Sequence, residues 1–261
     1  MQENMLLLDI PEFHVVYREE DYSYTKEKGK ENLQKILYEA SHNYCMYCYT
    51  RIKSDNRGWG HLEHAIEKNI CQKRLINCIP NIGITCSVCN NRYKKAGERK
   101  RYPEKDIVLR FSQNECTVNC KDTCLDYQLL KNSYLKKKEA HIILQPEGVV
   151  GEDTGEKLLL QYDVLEAKFI PNTSVEYSMK EIQFIEDHIE RFRLNAKEEK
   201  SRQLIRFVED TIEKEGNYTK IDYNNMIVEL FVTQVLKNRS QKEILKLCKL
   251  IYTISCVKFN T

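Results

Sequence analysis

Cys45-Met46-Tyr47-Cys48, Gly60-His61-Leu62-Glu63-His64 and Asn81-Ile82-Gly83-Ile84-Thr85-Cys86-Ser87-Val88-Cys89-Asn90 are the segments whose reading decides the fold. Each CxxC turn brings two sulfurs within reach of one tetrahedral ion, and the second pair, separated from the first by 37 residues, completes a closed four-cysteine set. A closed set leaves no position for water or substrate, so Cys45, Cys48, Cys86 and Cys89 are expected to hold a structural Zn2+. Residues 58–66 and 79–85 are short, β-branched or aromatic stretches bounded by Gly, Asn and Pro, which predicts two strands. Residues 87–96 predict a short basic helix that Gly97 terminates. Side chains alternate along a strand, so Glu63 and His64 are expected on opposite faces unless a twist or bulge intervenes.

The bulk composition supports metal ligation. The chain of 261 residues has eleven cysteines, an odd number, and is long enough not to need disulfides. Its beginning, with Glu3 and Asp9 and no small-residue cleavage site, does not resemble a signal peptide. A reducing, cytoplasmic setting is therefore expected. Basic and acidic residues number 41 and 39, so any nucleic-acid-binding surface must be local. No apolar run approaches the ~20 residues of a membrane helix, and no membrane association is expected.

Outside the central stretch, residues to about Thr25 mix aromatics and charges without period and predict an irregular arm. Leu33, Ile36, Leu37 and Ala40 define one face of a helix over 26–43. A helix is expected over 122–140 and a strand pair over 158–170. Ser178 with Glu181, and Ser240 with Glu243, are capping-box signatures before apolar-periodic runs. Between them, Leu204, Phe207, Val208 and Ile212 mark a second amphipathic helix, and 222–237 a third. Cys116, Cys120 and Cys124, at intervals of four, could join His141 in a second metal site, with reduced packing cysteines as the default. Cys71, Cys78, Cys248 and Cys256 read as core or free thiols.

The zinc-framed strand, strand and helix carrying His, Asn and Asn resembles the HNH, or ββα-metal, nuclease motif from Cys45 to about Lys95. That resemblance implies His64 as general base, Asn81 as the residue that orients it across the hairpin, and Glu63 and Asn90 as ligands of a catalytic Mg2+ or Mn2+. His61 is the second choice for the carboxylate's place. The residue types suit the chemistry: a neutral imidazole can take a proton from water attacking phosphorus. A hard cation needs only one or two protein oxygens when phosphate and water supply the rest. Beside such a site the basic run Arg92, Lys94, Lys95, Arg99, Lys100 and Arg101 suits contact with a phosphate backbone.

More widely, the chain is similar to the HNH proteins of Septu and retron anti-phage systems, including His141-Ile-Ile-Leu-Gln-Pro146 and Arg193-Leu194-Asn195 leading to Arg202. That resemblance implies an ABC-type ATPase partner and a nucleic-acid substrate, with DNA favoured over RNA. Where many relatives have an aromatic residue and Pro-Lys after the Glu-His pair, this chain has Ala65-Ile66-Glu67-Lys68. The expected fold is α+β and mainly helical: an arm and helix at 1–44, a zinc-stapled HNH core at 45–101, an extension around it at 102–170, and a helical region at 171–261 suited to docking a partner. The competing reading is a non-catalytic zinc-binding adaptor, which would have no need of an acid-His pair on the hairpin. A redox role for the CxxC pairs lacks a thioredoxin-like pattern.

Overall fold

The computed structural model describes residues 6–113, 121–196, 199–219 and 223–259. It is mixed α and β, mainly helical with small sheets. Helix α1 (Glu27–Ala40) buries Leu33, Ile36 and Leu37, the face its periodicity marks. The chain then turns into the first cysteine pair and runs through two short strands, β2 (Lys53–Ser54) and β3 (Arg57–Gly58). Strands β4 (His61–His64) and β5 (Ile82–Thr85) form an antiparallel hairpin in which Leu62 faces Ile84, Glu63 faces Gly83 and His64 faces Ile82. Between them lie one α-helical turn, α2 (Gln72–Leu75), and 3-10 turns at Lys68–Ile70 and Ile79–Asn81, the last where the sequence predicts the start of the strand.

Two contacts tie this hairpin to its surroundings. The Tyr38 hydroxyl of α1 accepts a bond from the Gly60 N–H at 2.7 Å. A side chain at Gly60 would meet Tyr38, Ile52 and Ile84 at 3.0 Å or less, so the strand can approach α1 this closely only with glycine there. The Met46 N–H donates to the Ile84 carbonyl at 3.1 Å, docking the first CxxC turn on β5.

After β5 the chain is helical over 87–93, its later part a π turn, Cys89–Tyr93, closed by the Lys94 N–H on the Cys89 carbonyl. Gly97 follows with φ of 76°, the left-handed conformation that ends this segment as expected. The expected helix over 122–140 is shorter: α4 (Leu125–Leu135) follows α3 (Lys105–Gln113), and Lys137 turns extended before a 3-10 turn at Lys138–Ala140.

The strand pair is β6 (Leu160–Asp163) with β7 (Lys168–Pro171). The N-terminal arm is not wholly irregular. Its residues Leu7–Asp9 form β1, which pairs antiparallel with β6 and completes a three-stranded sheet.

Helix α5 (Met179–Arg191) begins with the Ser178–Glu181 capping box, both of whose hydrogen bonds are present. Helices α6 (Glu199–Glu213) and α8 (Gln241–Phe259) pack together, and Ser240 and Glu243 cap α8 reciprocally. Between these helices, α7 (Met226–Leu230) is capped by Asn225 and runs into a π turn at Phe231–Leu236; residue 222, the expected start, lies outside the described residues. Segment 224–226 pairs with 49–51 through Arg51 N–H to Asn224 O and Met226 N–H to Tyr49 O, so the last third of the chain is stitched to the first cysteine turn. Tyr47 also stacks on Phe192 at 4.5 Å. Buried apolar residues run continuously from Leu8 to Ile251. Among the described residues no helix is long and apolar enough to cross a membrane.

Candidate metal centre and adjoining cleft

The sulfurs of Cys45, Cys48, Cys86 and Cys89 all lie within 4.8 Å of one another. Cys48 and Cys86 are 3.7 Å apart. A tetrahedral zinc about 2.3 Å from each sulfur requires sulfur separations of about 3.8 Å, so the four side chains can hold a structural metal ion of this kind. The backbone is shaped around them: the Cys89 N–H points at the Cys86 sulfur at 3.4 Å, and Tyr49 takes a φ of 62° to close the first turn. Burial pushes the Cys45 thiol up, and hydrogen bonding to Cys45, Cys48 and Cys86 does the same to Cys89. Cys86 is lowered by hydrogen bonding to Cys45 and Cys89, and a cation at the centre would favour the thiolate form of all four.

At the other end of the hairpin, Glu63, His64, Glu67, Asn90, Lys94 and Lys95 line one cleft of about 330 Å³. His64 Nε2 lies 3.1 Å from the Ile76 carbonyl. A carbonyl oxygen only accepts, so Nε2 carries the proton and Nδ1 is the basic nitrogen. The Tyr24 ring meets the imidazole edge-on at 4.5 Å. Burial, together with Lys68 and Lys94 and against the opposing hydrogen bond to Ile76, lowers the imidazole pKa to about 4, so His64 is neutral at physiological pH.

Asn81 is fully buried, and its side-chain hydrogen bonds go to Ile66 and Tyr127 rather than to His64. Its Oδ1 accepts from the Ile66 N–H at 2.7 Å and from the Tyr127 hydroxyl at 2.9 Å, while its Nδ2 donates to the Ile66 carbonyl at 2.9 Å. Asn81 therefore crosses the hairpin to clamp backbone two residues beyond His64. Asn90 is half-buried inside the π turn, not at a helix cap, and opens on the cleft.

Lys94 departs from expectation. Grouped by sequence with surface lysines that contact phosphate, it is 3% exposed. Its ammonium sits among three oxygens: Glu63 Oε1 at 3.2 Å, Glu67 Oε1 at 3.1 Å and the His64 carbonyl at 3.3 Å. Burial works against that charge, and Glu63, Tyr134 and Glu67 outweigh it, so the ammonium persists well above the ordinary lysine range. Arg101, from the same basic run, is also fully buried, with Nη2 at 2.9 Å from Glu67 Oε1. Arg92, Lys95, Arg99 and Lys100 are exposed.

Glu63 is consequently committed. One oxygen meets Lys94, and the other accepts from the Tyr47 hydroxyl at 3.1 Å. Burial raises its carboxyl pKa, against the pull of Lys94. The oxygen donors of Glu63 and Asn90 suit a hard divalent cation in kind, and the charge such a cation would neutralise on Glu63 is already met by Lys94. His61, the second-choice ligand, is exposed on β4 and does not line this cleft.

Sequence reading missed Glu67, Tyr47, Tyr127 and the Ile76 carbonyl. Glu67 stands where the chain departs from the Pro-Lys pattern, which was its one visible signal. Of the possible second metal site, Cys116 and Cys120 lie outside the described residues. Cys124 precedes α4, and His141 Nδ1 pairs with Asp187 Oδ2 at 2.7 Å. Comparison with protein-family models, with curated proteins and with solved structures gives no match.

Proposed function

We propose that this protein is a metal-dependent HNH-type endonuclease that hydrolyses phosphodiester bonds in nucleic acid, DNA in preference to RNA. The observation that carries the reading is the His64 imidazole, neutral, fixed in one tautomer by the Ile76 carbonyl and opening on the cleft that Glu63 and Asn90 share. His64 Nδ1 takes the proton of a water as its oxygen bonds to phosphorus, and the bond from phosphorus to the leaving 3′ oxygen breaks. Asn81 holds the loop after His64 in register through Ile66. Glu63 and Asn90 would hold Mg2+ or Mn2+, which supplies neutralisation of charge on the leaving oxygen. Zn2+ on the four cysteines fixes the hairpin to the helix that bears Asn90. Exposed Arg92 and Lys95 supply backbone contacts. The resemblance to Septu and retron proteins extends the proposal to an anti-phage effector working with an ABC-type ATPase.

The test compares wild type with His64→Ala on plasmid, single-stranded DNA and total RNA, with Mg2+ or Mn2+. Wild type is expected to cleave, and the variant to lose about 100-fold or more with zinc content and melting temperature unchanged. Wild-type cleavage by the variant would remove His64 from the mechanism. The internal neutralisation of Glu63 by Lys94 favours a second reading, a zinc-stapled adaptor without catalysis. That reading predicts no cleavage by either protein and no divalent-cation binding sensitive to Asn90→Ala.

A further inference from the structure

Resting on the nuclease reading, we infer that Glu67 is a positioning residue for the catalytic cation: it takes up the Lys94 ammonium when the cation claims Glu63. Lys94 Nζ occupies the kind of oxygen cage a cation would use, and it is shared almost equally, 3.2 Å from Glu63 and 3.1 Å from Glu67. A divalent cation on Glu63 Oε1 would compete with the ammonium for the charge of that carboxylate, which favours a shift of Nζ towards Glu67.

A buried ammonium released without compensation would be costly. Glu67 removes that cost. It already accepts from Lys94, from Arg101 at 2.9 Å and from the Tyr134 hydroxyl at 3.0 Å, all on Oε1. Its other oxygen, Oε2, is buried and has no hydrogen-bond partner. That spare acceptor is within the same carboxylate that Nζ already touches, so the ammonium can complete its coordination on Glu67 by a small shift. Glu67 lines the cleft with Glu63, His64 and Asn90. Two carboxylates, Glu63 and Glu67, face two buried cations, Lys94 and Arg101, and without Glu67 this buried group would have one carboxylate against two cations, an environment less favourable to a dication.

Removing the Glu67 charge should therefore strengthen Lys94 as a competitor, and removing Lys94 as well should cancel the effect. The probe is Mn2+, titrated by calorimetry into the zinc-loaded full chain, with zinc content and melting temperature recorded for every variant. Glu67→Gln is expected to weaken Mn2+ binding by at least about fivefold, the lower end of ordinary site-to-site coupling. Glu67→Asp should recover most of it, and Glu67→Gln with Lys94→Met should return affinity to within about twofold of wild type. Unchanged affinity in a folded Glu67→Gln, while Asn90→Ala abolishes binding, overturns the role of Glu67 and leaves the nuclease reading standing. A weakened Glu67→Gln that Lys94→Met fails to restore also overturns it, since Lys94 would not be the competitor. No Mn2+ binding by wild type overturns the cation site and this inference together.

Discussion

The two ends of the β4–β5 hairpin both gather ligand-type side chains, and they differ in what balances their charge. At one end four cysteine sulfurs converge within 4.8 Å, a set of donors that a cation would balance. At the other, Glu63 and Glu67 converge on an ammonium and a guanidinium supplied by the chain itself. The first arrangement could be completed by a cation, and metal binding there would then be part of folding. The second balances its charge internally, so on the nuclease reading a cation there would exchange against an internal charge. A structural and a catalytic metal would need that contrast.

The largest effect should come from breaking the cysteine end. Cys89→Ser removes a fully buried sulfur and leaves three donors in a pocket that cannot close. Zinc content is expected to fall from one per chain to near zero, with a stability loss of about 4 kcal/mol or more, read by metal analysis and thermal melting. A Cys89→Ser protein that melts like wild type would mean that the cluster is ordinary core packing.

The carboxylate end should break more gently, through Asn81. Asn81→Ala leaves the Ile66 N–H, the Ile66 carbonyl and the Tyr127 hydroxyl without their partner in a dry interior. A loss of about 2–4 kcal/mol in denaturant unfolding is expected, with zinc retained. Loss of zinc in this variant would show that the two ends do not stand separately.

These two residues also show what sequence could reveal. The cysteine cluster was legible because CxxC spacing fixes local geometry, and the capping box at Ser178 and Glu181 for the same reason. The ion pairs of Lys94 were not, because a basic run reads as solvated surface unless its spacing from a site is weighed. Lys94 lies four residues after Asn90, on the helical face that opens on the cleft. Strand β1 escaped because three residues carry no usable period, and its pairing with β6 spans most of the chain. Tyr47 lies between the two cysteines of the first pair, and only the fold brings its hydroxyl to Glu63.

The carboxylate end has a further support that pH can probe. His188 of α5 is buried behind Tyr47, with its ring 4.8 Å from Phe192, and its Nδ1 accepts from the Ile143 N–H. Burial, with help from Arg191, lowers its pKa from 6.5 to about 3. Between those values the unfolded chain binds a proton that the native state refuses, so stability falls as pH drops below about 6.5, by up to about 1.4 kcal/mol per pH unit. Urea unfolding from about pH 7 to pH 5 should show that slope, and His188→Gln should flatten it by the share of one histidine. An unchanged slope would place the acid sensitivity elsewhere.

The smallest effect separates Lys94 from its exposed neighbours. Lys95 borders the cleft and Arg92 lies over the Tyr93 ring, and neither is held in a buried ion pair as Lys94 is. On the nuclease reading they meet phosphate as mobile surface charges, so Arg92→Gln and Lys95→Gln should each leave stability within about 0.5 kcal/mol of wild type. Each should weaken nucleic-acid binding about equally across sequences and reduce the slope of log affinity against log salt by about one, the signature of one lost phosphate contact. Lys94→Met should behave in the opposite way, destabilising the fold by leaving buried Glu63 without its counter-charge, Glu67 keeping Arg101, while changing the salt slope little. If Lys94→Met alters the salt slope as Lys95→Gln does, the ammonium reaches phosphate in the complex, and the carboxylate end is a substrate clamp before it is a cation site.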